Sequence, residues 1–462
     1  MKKLISVSVL LGLVCAASAC SSGKTDSITM NDTKFADDGS QIITVATFGS
    51  SNPKLSGFTS FPLGFKYEIK NYMPGEDISF EEASHQLDMD VIQGKSPDVL
   101  FAPADKMYNY IRKGAMADLF QLMDEYGSVT KDDFLPNVLE GLTVEGELPA
   151  VIDSFFIETA AVKKKFAGEE YENWTPEQAM QFYNGLSEDM DFIDSAGEEL
   201  AGYMLENIAK ECIDLDSNTC NFADSRFPDV LRFCAEHPVR EQYSVDFGKM
   251  SENEMTEYVY DESTRGMRDA QLVFPVRIYG FDGTLANDVY GAMNFEEVTF
   301  VGYPSTDGNG SMNSQYFLSH AYGIMKGCSD KESAWKFVSQ YLKYRKPLEK
   351  YEVNSTLGIP VLKSQFQMDY DRDEEYNNSI NGVVYSPEYG AGGRDDEAYL
   401  PQEYKDRLRD YIFNVKFDIY FPDELMYMVR EEYEPVLAGE RTPEQAAEIL
   451  DSRISTFLSE KS

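Results

Sequence analysis

Between Gln41 and Gly114 the hydrophobic pattern switches repeatedly between strand and helix periods, and few architectures accommodate that switching. Gln41–Phe48 (QIITVATF) is rich in β-branched residues and reads as the strand that starts the fold. Residues 77–93 read as a helix, with Phe80, Ala83, Leu87 and Val91 at helical spacing. Gly94, Lys95, Ser96 and Pro97 stop it, because Gly and Pro both disfavour continuation, and Asp98–Phe101 is a short strand. A further helix over 106–112 ends at Gly114. Strand and helix alternating at this pitch predict an open, largely parallel α/β sheet, since parallel strands need a crossover connection.

Later helix starts carry their own punctuation. Thr175-Pro176-Glu177-Gln178 supplies a Thr cap, Pro in the first turn and Gln to close a capping box. Ser329-Asp330-Lys331-Glu332 reads as the same device, capped by Ser329, for a helix carrying Ala334, Trp335, Val338, Tyr341 and Leu342. Thr442-Pro443-Glu444-Gln445 repeats it for the last helix, with Ala446, Ile449, Leu450, Ile454 and Phe457 on one face. Asp153–Ala161, containing Phe155, and Gln315–Ile324, containing Tyr316, are apolar or aromatic runs long enough to leave one lobe and enter another. No repeat of fixed period stands out.

Composition bounds the class. The chain has 462 residues, 42% apolar and 13% aromatic, which is enough for a packed core and, at this length, for two domains. Against 80 Asp and Glu stand 41 Lys and Arg, a formal charge of -39, which argues against nucleic acid and against adsorption to anionic lipid heads. Lys2 and Lys3, the apolar stretch Leu4–Val14 and the small residues Ala17-Ser18-Ala19 before Cys20 form a signal peptide of the lipoprotein kind. Cleavage before Cys20 leaves a thiol to carry the lipid; a plain secretory signal is the alternative, and Ala17 stands where such signals usually have Leu. Cys15 competes poorly, because Leu13 and Val14 are bulky. Residues 21–40, rich in Ser, Gly, Asp and Thr, read as a flexible tether. No later stretch approaches about 18 uninterrupted apolar residues, so no transmembrane helix is expected.

The residues that usually do chemistry are scarce. Cys212, Cys220, Cys234 and Cys328 fit no zinc spacing; Cys212 and Cys220 bracket a short polar loop and either pair or remain free thiols. His85, His237 and His320 lie in unrelated contexts, and no phosphate loop, dinucleotide fingerprint, nucleophile elbow or zinc-protease motif is present. Asp214, Asp216 and Asn218 imitate the first ligands of a calcium loop, but Thr219 replaces the Gly and Ser225 the Glu, so the segment reads as a solvated acidic loop. Neither a metal nor a cofactor is expected. Abundant Tyr, Phe and isolated carboxylates without a nucleophile suit the apolar faces and hydroxyl edges of a sugar.

Val91–Leu100 (VIQGKSPDVL) resembles the helix-to-strand junction of bacterial extracellular solute-binding proteins of family 1, the receptors of ATP-driven importers. Lys113-Gly114-Ala115-Met116-Ala117-Asp118-Leu119 resembles the segment that comes next in that family. Further matches run in order: Gly146–Pro149, Phe156–Thr159, Trp174–Gln178, Val301–Gly308, Lys331–Phe337, Gly358–Val361 and Ala438–Ala446. The resemblance, of the maltodextrin-binding kind, implies an α/β, two-lobed, type II periplasmic-binding-protein fold, each lobe a mainly parallel sheet flanked by helices and joined by hinge crossings. It implies lobes of 41–152 with 316–358, and of 153–315 with 359–462, after a signal peptide over 1–19 and a tether over 20–40. Asp105 and Lys106 fall where an acidic-basic pair grips sugar hydroxyls, although Ala102 replaces the family's aromatic stacker. Asp153 and its neighbour Phe155 lie on the first crossing, Tyr316 on the second, and Phe48 and Asn52 at the exit of the first strand. Arg277 and Tyr279 fall near the second lobe's stacker, and Met426 and Tyr427 where an expected Trp is absent, so the ligand is not expected to be maltose.

The residues and the resemblance together imply a monomeric, lipid-anchored receptor on the extracellular face of the cell membrane (the periplasmic side if there is an outer membrane). It would capture a carbohydrate, foremost an oligosaccharide, and deliver it to the transmembrane subunits of an ABC permease. It would not be an enzyme. The acidity leaves a cationic solute open, a sensor kinase could replace the permease, and a glycosidase would need two carboxylates about 5 to 9.5 Å apart across one cleft.

Overall fold

The computed structural model describes residues 34–39, 41–48, 65–74, 78–167, 174–186, 191–193, 197–237, 251, 271–278, 280–281, 298–306, 315–316, 321–344, 358–379, 402–416 and 420–460. In chain order the strands are β1 (Lys34–Phe35), β2 (Gln41–Thr47), β3 (Lys66–Asn71), β4 (Val99–Ala102), β5 (Ser154–Phe155), β6 (Ile157–Lys163), β7 (Asp191–Ile193), β8 (Ile213–Asp214), β9 (Thr219–Cys220), β10 (Gln271–Ile278), β11 (Val298–Phe300), β12 (Gln315–Tyr316), β13 (Ala321–Ile324) and β14 (Ile359–Pro360). One sheet has the order β1-β2-β4-β13 with β3 also on β2; the other has β11-β6-β10-β7 with β12 also on β6.

The expectation of mainly parallel sheets holds for part of each. β2 is parallel to β3 and β4, and β10 to β7. β13 pairs antiparallel with β4, and β6 pairs antiparallel with β10, β11 and β12. The reason is topological. β6 arrives from the first lobe and β13 returns from the second, so each enters its sheet at the end where the resident parallel strands leave it.

Local signals place the helices. Ser79 caps Phe80–Ile92: its hydroxyl accepts from the Glu82 N–H at 3.2 Å and the Glu82 carboxylate accepts from the Ser79 N–H at 3.0 Å. Thr175 and Gln178, and Thr442 and Gln445, form the same reciprocal pairs. At Lys331–Lys343 the cap is Asp330, not Ser329: the Asp330 carboxylate accepts from the Ser333 N–H at 3.0 Å, while Ser329 Oγ accepts from Gln41 Nε2 at 3.3 Å. The helix expected over 106–112 starts two residues earlier, at Ala104.

Two cores result. Trp335, Phe101 and Phe337 lie in the first, Trp174, Phe192 and Tyr203 in the second. β6 serves both, with Ile157 and Ala161 in the first core and Ala160 and Val162 in the second, as alternation along a strand requires. Helices Lys363–Ser379 and Gln402–Asn414 supply Phe366, Tyr370, Leu408 and Ile412 to the first core, and the Phe281 ring meets those of Phe366 and Tyr370, each at 5.2 Å. The last helices, Asp423–Leu437 and Pro443–Glu460, pack into the second core, where Glu432 pairs with Arg441 and, at 2.5 Å, with Arg453. No helix among the described residues is long and apolar enough to cross a membrane.

Candidate functional site

The chain passes between the lobes along three adjacent segments. Val151 and Tyr322 exchange backbone hydrogen bonds of 2.9 and 2.8 Å, and the same antiparallel register sets Tyr316 against Ile157 and Gln315 against Glu158. The third segment lies on the first: Ile359 pairs with Phe155, Pro360 with Ser154, and the Val361 N–H donates to the Asp153 carbonyl at 3.2 Å. Gly358 opens this segment at φ 72°, and a Cβ there would stand 2.7 Å from the Phe155 carbonyl oxygen.

Asp153 sits on the first crossing at 8% exposure, beside the Tyr322 hydroxyl, which is buried and has no hydrogen-bond partner among the described residues. Burial first, then the Asp153 charge, holds that phenol well above its ordinary range. The Tyr322 ring stacks on Phe101 at 4.8 Å and 13°. Phe155, 1% exposed, belongs to the first core and backs the crossing from inside.

The first lobe presents the carboxyl ends of β2, β3 and β4 together, the end at which open α/β sheets bind ligands. Phe48 follows β2 and Tyr72 follows β3; their rings stack with centroids 6.0 Å apart, and both are largely buried. The Tyr72 hydroxyl donates to Asp90 Oδ2 at 2.8 Å, and the Lys70 ammonium pairs with the same oxygen while lying 4.7 Å from the Tyr72 ring centroid. Burial and then Asp90 raise the Tyr72 phenol. Burial would raise Asp90 too, but its hydrogen bonds from Lys70 and Tyr72 outweigh it and hold the carboxyl below its ordinary value. Asp105 and Lys106 occupy the first turn of the helix Ala104–Arg112, directly after β4.

On the second lobe Arg277 stands opposite Glu158, which faces Gln315 on its other side, so the three residues form one row across β10, β6 and β12. Met426 is half-buried against the second core, whereas its neighbour Tyr427 is 67% exposed. Asn52 and Tyr279 lie outside the described residues, as does Cys20. The crossings thus join Asp153, Phe155 and Tyr316, while Phe48 has its partners on β3. Tyr72, Asp90 and Tyr322 escaped the sequence reading. The alternation of Tyr67, Ile69 and Asn71 was the available signal for β3, and Tyr322 lies inside the recognised second run.

Elsewhere the candidate chemistry resolves into structure. The described cysteines are free. Cys212 Sγ donates to Ser225 Oγ at 3.2 Å, whereas Cys220 Sγ meets Ser455 Oγ at 3.4 Å. Burial pushes the Cys212 thiol up to about 11. No group of three or more His, Cys, Asp or Glu that would hold a metal occurs among the described residues.

No family profile matches the chain, and no curated protein does either. Solved structures do. The sugar-binding protein MalE from Xanthomonas citri superposes with TM-score 0.54 at 14% identity, over 91% of this chain and 98% of that one. A periplasmic oligogalacturonide-binding protein from Yersinia enterocolitica gives 0.54 at 12%, over 91% and 99%. An ABC substrate-binding protein from Listeria monocytogenes, solved with cycloalternan, gives 0.52 at 13%, over 90% and 99%. The two-lobed α/β fold of periplasmic binding proteins is therefore the fold of this chain.

Proposed function

We propose that this chain is an extracellular solute-binding protein of family 1, a lipid-anchored receptor that captures a carbohydrate between its lobes and hands it to an ABC permease. The observation that carries the reading is the triple crossing. It sets the nearly buried Asp153 on a hinge, next to a lobe in which a stacked, largely buried Phe48–Tyr72 pair closes the ends of β2 and β3. Aromatic faces suit the C–H patches of a sugar and charged groups suit its hydroxyls. The sugar-binding neighbours support the same class. Asp105, Lys106, Asp153, Arg277 and Tyr316 are the assigned polar contacts, with Phe48, Asn52, Tyr279, Met426 and Tyr427 around them and Phe155 as their support. Residues 41–152 with 316–358 are assigned to one lobe and 153–315 with 359–462 to the other, the helices Lys363–Ser379 and Gln402–Asn414 packing their apolar side chains into the first core, and the protein acts as a monomer. Cys20 carries the lipid, on the extracellular face of the membrane.

A thermal-shift screen of residues 24–462 against mono- and oligosaccharides, polyamines and short peptides tests the reading. At ligand one hundredfold above its dissociation constant, linkage gives about 2.7 kcal/mol of stabilisation. Stabilisation by saccharides without turnover is expected; stabilisation by amines alone would overturn the carbohydrate assignment. Cys20→Ser is expected to release the protein from the membrane fraction.

A further inference from the structure

Arg112 ends the first-lobe helix Ala104–Arg112, yet its guanidinium is engaged by the second lobe. Its Nη1 donates to the Leu215 carbonyl at 2.9 Å and its Nη2 to the Asn218 side-chain oxygen at 2.7 Å. Both acceptors lie in the turn between β8 and β9, whose flanking Cys212 and Ile213 belong to the second core. Leu215, in that turn, packs against both cores.

The turn is shaped to present these acceptors. Asp214 Oδ1 accepts from the N–H groups of Asp216 and Ser217, both at 2.9 Å, and the Ser217 and Thr219 hydroxyls share a hydrogen bond of 2.7 Å. Asn218 adopts φ 54°, a conformation Asn tolerates better than most residues. The spacing that imitates a calcium loop thereby acquires another use, because the Asp214 and Asn218 oxygens already accept from N–H groups and from Arg112.

We infer that Arg112 and the turn 214–219 form a latch that holds the lobes together, separate from the three chain crossings. A lobe rotation that draws these two surfaces apart has to break the contacts between them, and this one joins side chain to turn across the two lobes. A guanidinium gripping two oxygens in a fixed fork is direction-dependent, so partial opening releases it. The inference rests on the two-lobed fold and needs no assumption about the solute.

Ligand-free wild-type protein, Arg112→Ala and Asn218→Gly are compared by small-angle X-ray scattering and by amide hydrogen exchange over 215–219. Asn218→Gly keeps the left-handed turn and removes the side chain that carries the accepting amide oxygen. Both variants are expected to remain folded by circular dichroism, to show a larger radius of gyration than wild type, and to exchange these amides roughly tenfold faster. Arg112→Lys, which keeps the charge without the fork, is expected to fall between. Folded variants with an unchanged radius of gyration and unchanged exchange would overturn the latch.

Discussion

The strand that enters the second lobe becomes the middle of its sheet, whereas the strand that returns to the first lobe becomes an edge. β6 is flanked by β10 on one side and by β11 and β12 on the other, whereas β13 ends its sheet on β4 and, among the described residues, carries only the single bridges Val151–Tyr322 and Met116–Met325 on its other side. The second lobe cannot assemble its sheet without the chain arriving from the first, while the first lobe owes the second only an edge. Dependence between the lobes is therefore unequal.

The largest test of that inequality uses the chain's two tryptophans, one in each core. Trp174 donates to the Tyr203 hydroxyl at 2.9 Å and Trp335 to the Gly127 carbonyl at 2.8 Å. Replacing either by Ala should cost about 3–5 kcal/mol. With one Trp removed, the other reports its own lobe by fluorescence during denaturant unfolding, and the Trp→Phe variants serve as references. Trp335→Ala is expected to bring the Trp174 transition down with it, whereas Trp174→Ala leaves the Trp335 transition nearer its reference. Equal shifts in both directions would break the comparison.

The crossings themselves offer the next test. A Cβ on Gly323, in β13, would stand 2.5 Å from the Pro149 carbonyl oxygen, and one on Gly358 would meet the Phe155 carbonyl at a positive φ. Gly323→Ala and Gly358→Ala should each cost about 1–3 kcal/mol in denaturant melts. The Gly358 variant is expected to disturb the Trp174 signal more, because β14 pairs with β5 just before β6 begins.

Two buried tyrosines sharpen the contrast further. In the second core the Tyr203 hydroxyl accepts from Trp174 and donates to the Gly302 carbonyl at 2.7 Å. Tyr203→Phe should cost about 1–3 kcal/mol, since it strands both partners. Tyr322, on the crossing, has a buried hydroxyl with no partner among the described residues, so Tyr322→Phe should be neutral or stabilising by about 1 kcal/mol in thermal melts.

The smallest expected effects are those of pH on two first-lobe carboxylates. Asp90, held below its ordinary value, stabilises the fold above the unfolded-state carboxyl range, and that contribution is lost as pH falls through its native value. Asp98 is raised, chiefly by burial, although its carboxylate accepts from the Thr44 N–H at 2.8 Å. Its contribution is present below the ordinary range and is lost as pH rises through the raised value. Melting series should therefore show Asp90→Asn losing less stability than wild type on acidification, and Asp98→Asn gaining relative to wild type as pH rises.

Much of the fold was legible where side chain and backbone meet locally. The capping boxes at Thr175 and Thr442, the strand from Gln41 and the helix carrying Phe80 to Val91 each depend on neighbours a few residues apart. Even there, Ser329 yielded the cap to Asp330 because its hydroxyl accepts from Gln41, a residue remote in sequence. The candidate site was legible only as isolated positions. Asp153 was singled out, but its neighbour Tyr322 comes from another crossing, and Phe48 acquires Tyr72 only because β3 lies beside β2.

The sequence by itself determined the first strand, several helix caps, the alternation of strand with helix, and two of the runs that cross between lobes, because periods and caps act over a turn or two of chain. Strand direction within each sheet, the central place of β6, the pairing of Asp90 with Lys70 and Tyr72, and the grip of Arg112 on the 214–219 turn were decided by tertiary structure. Each of these depends on which lobe a segment enters from and what it meets there, and residues far apart in the chain carry no local pattern that records the meeting.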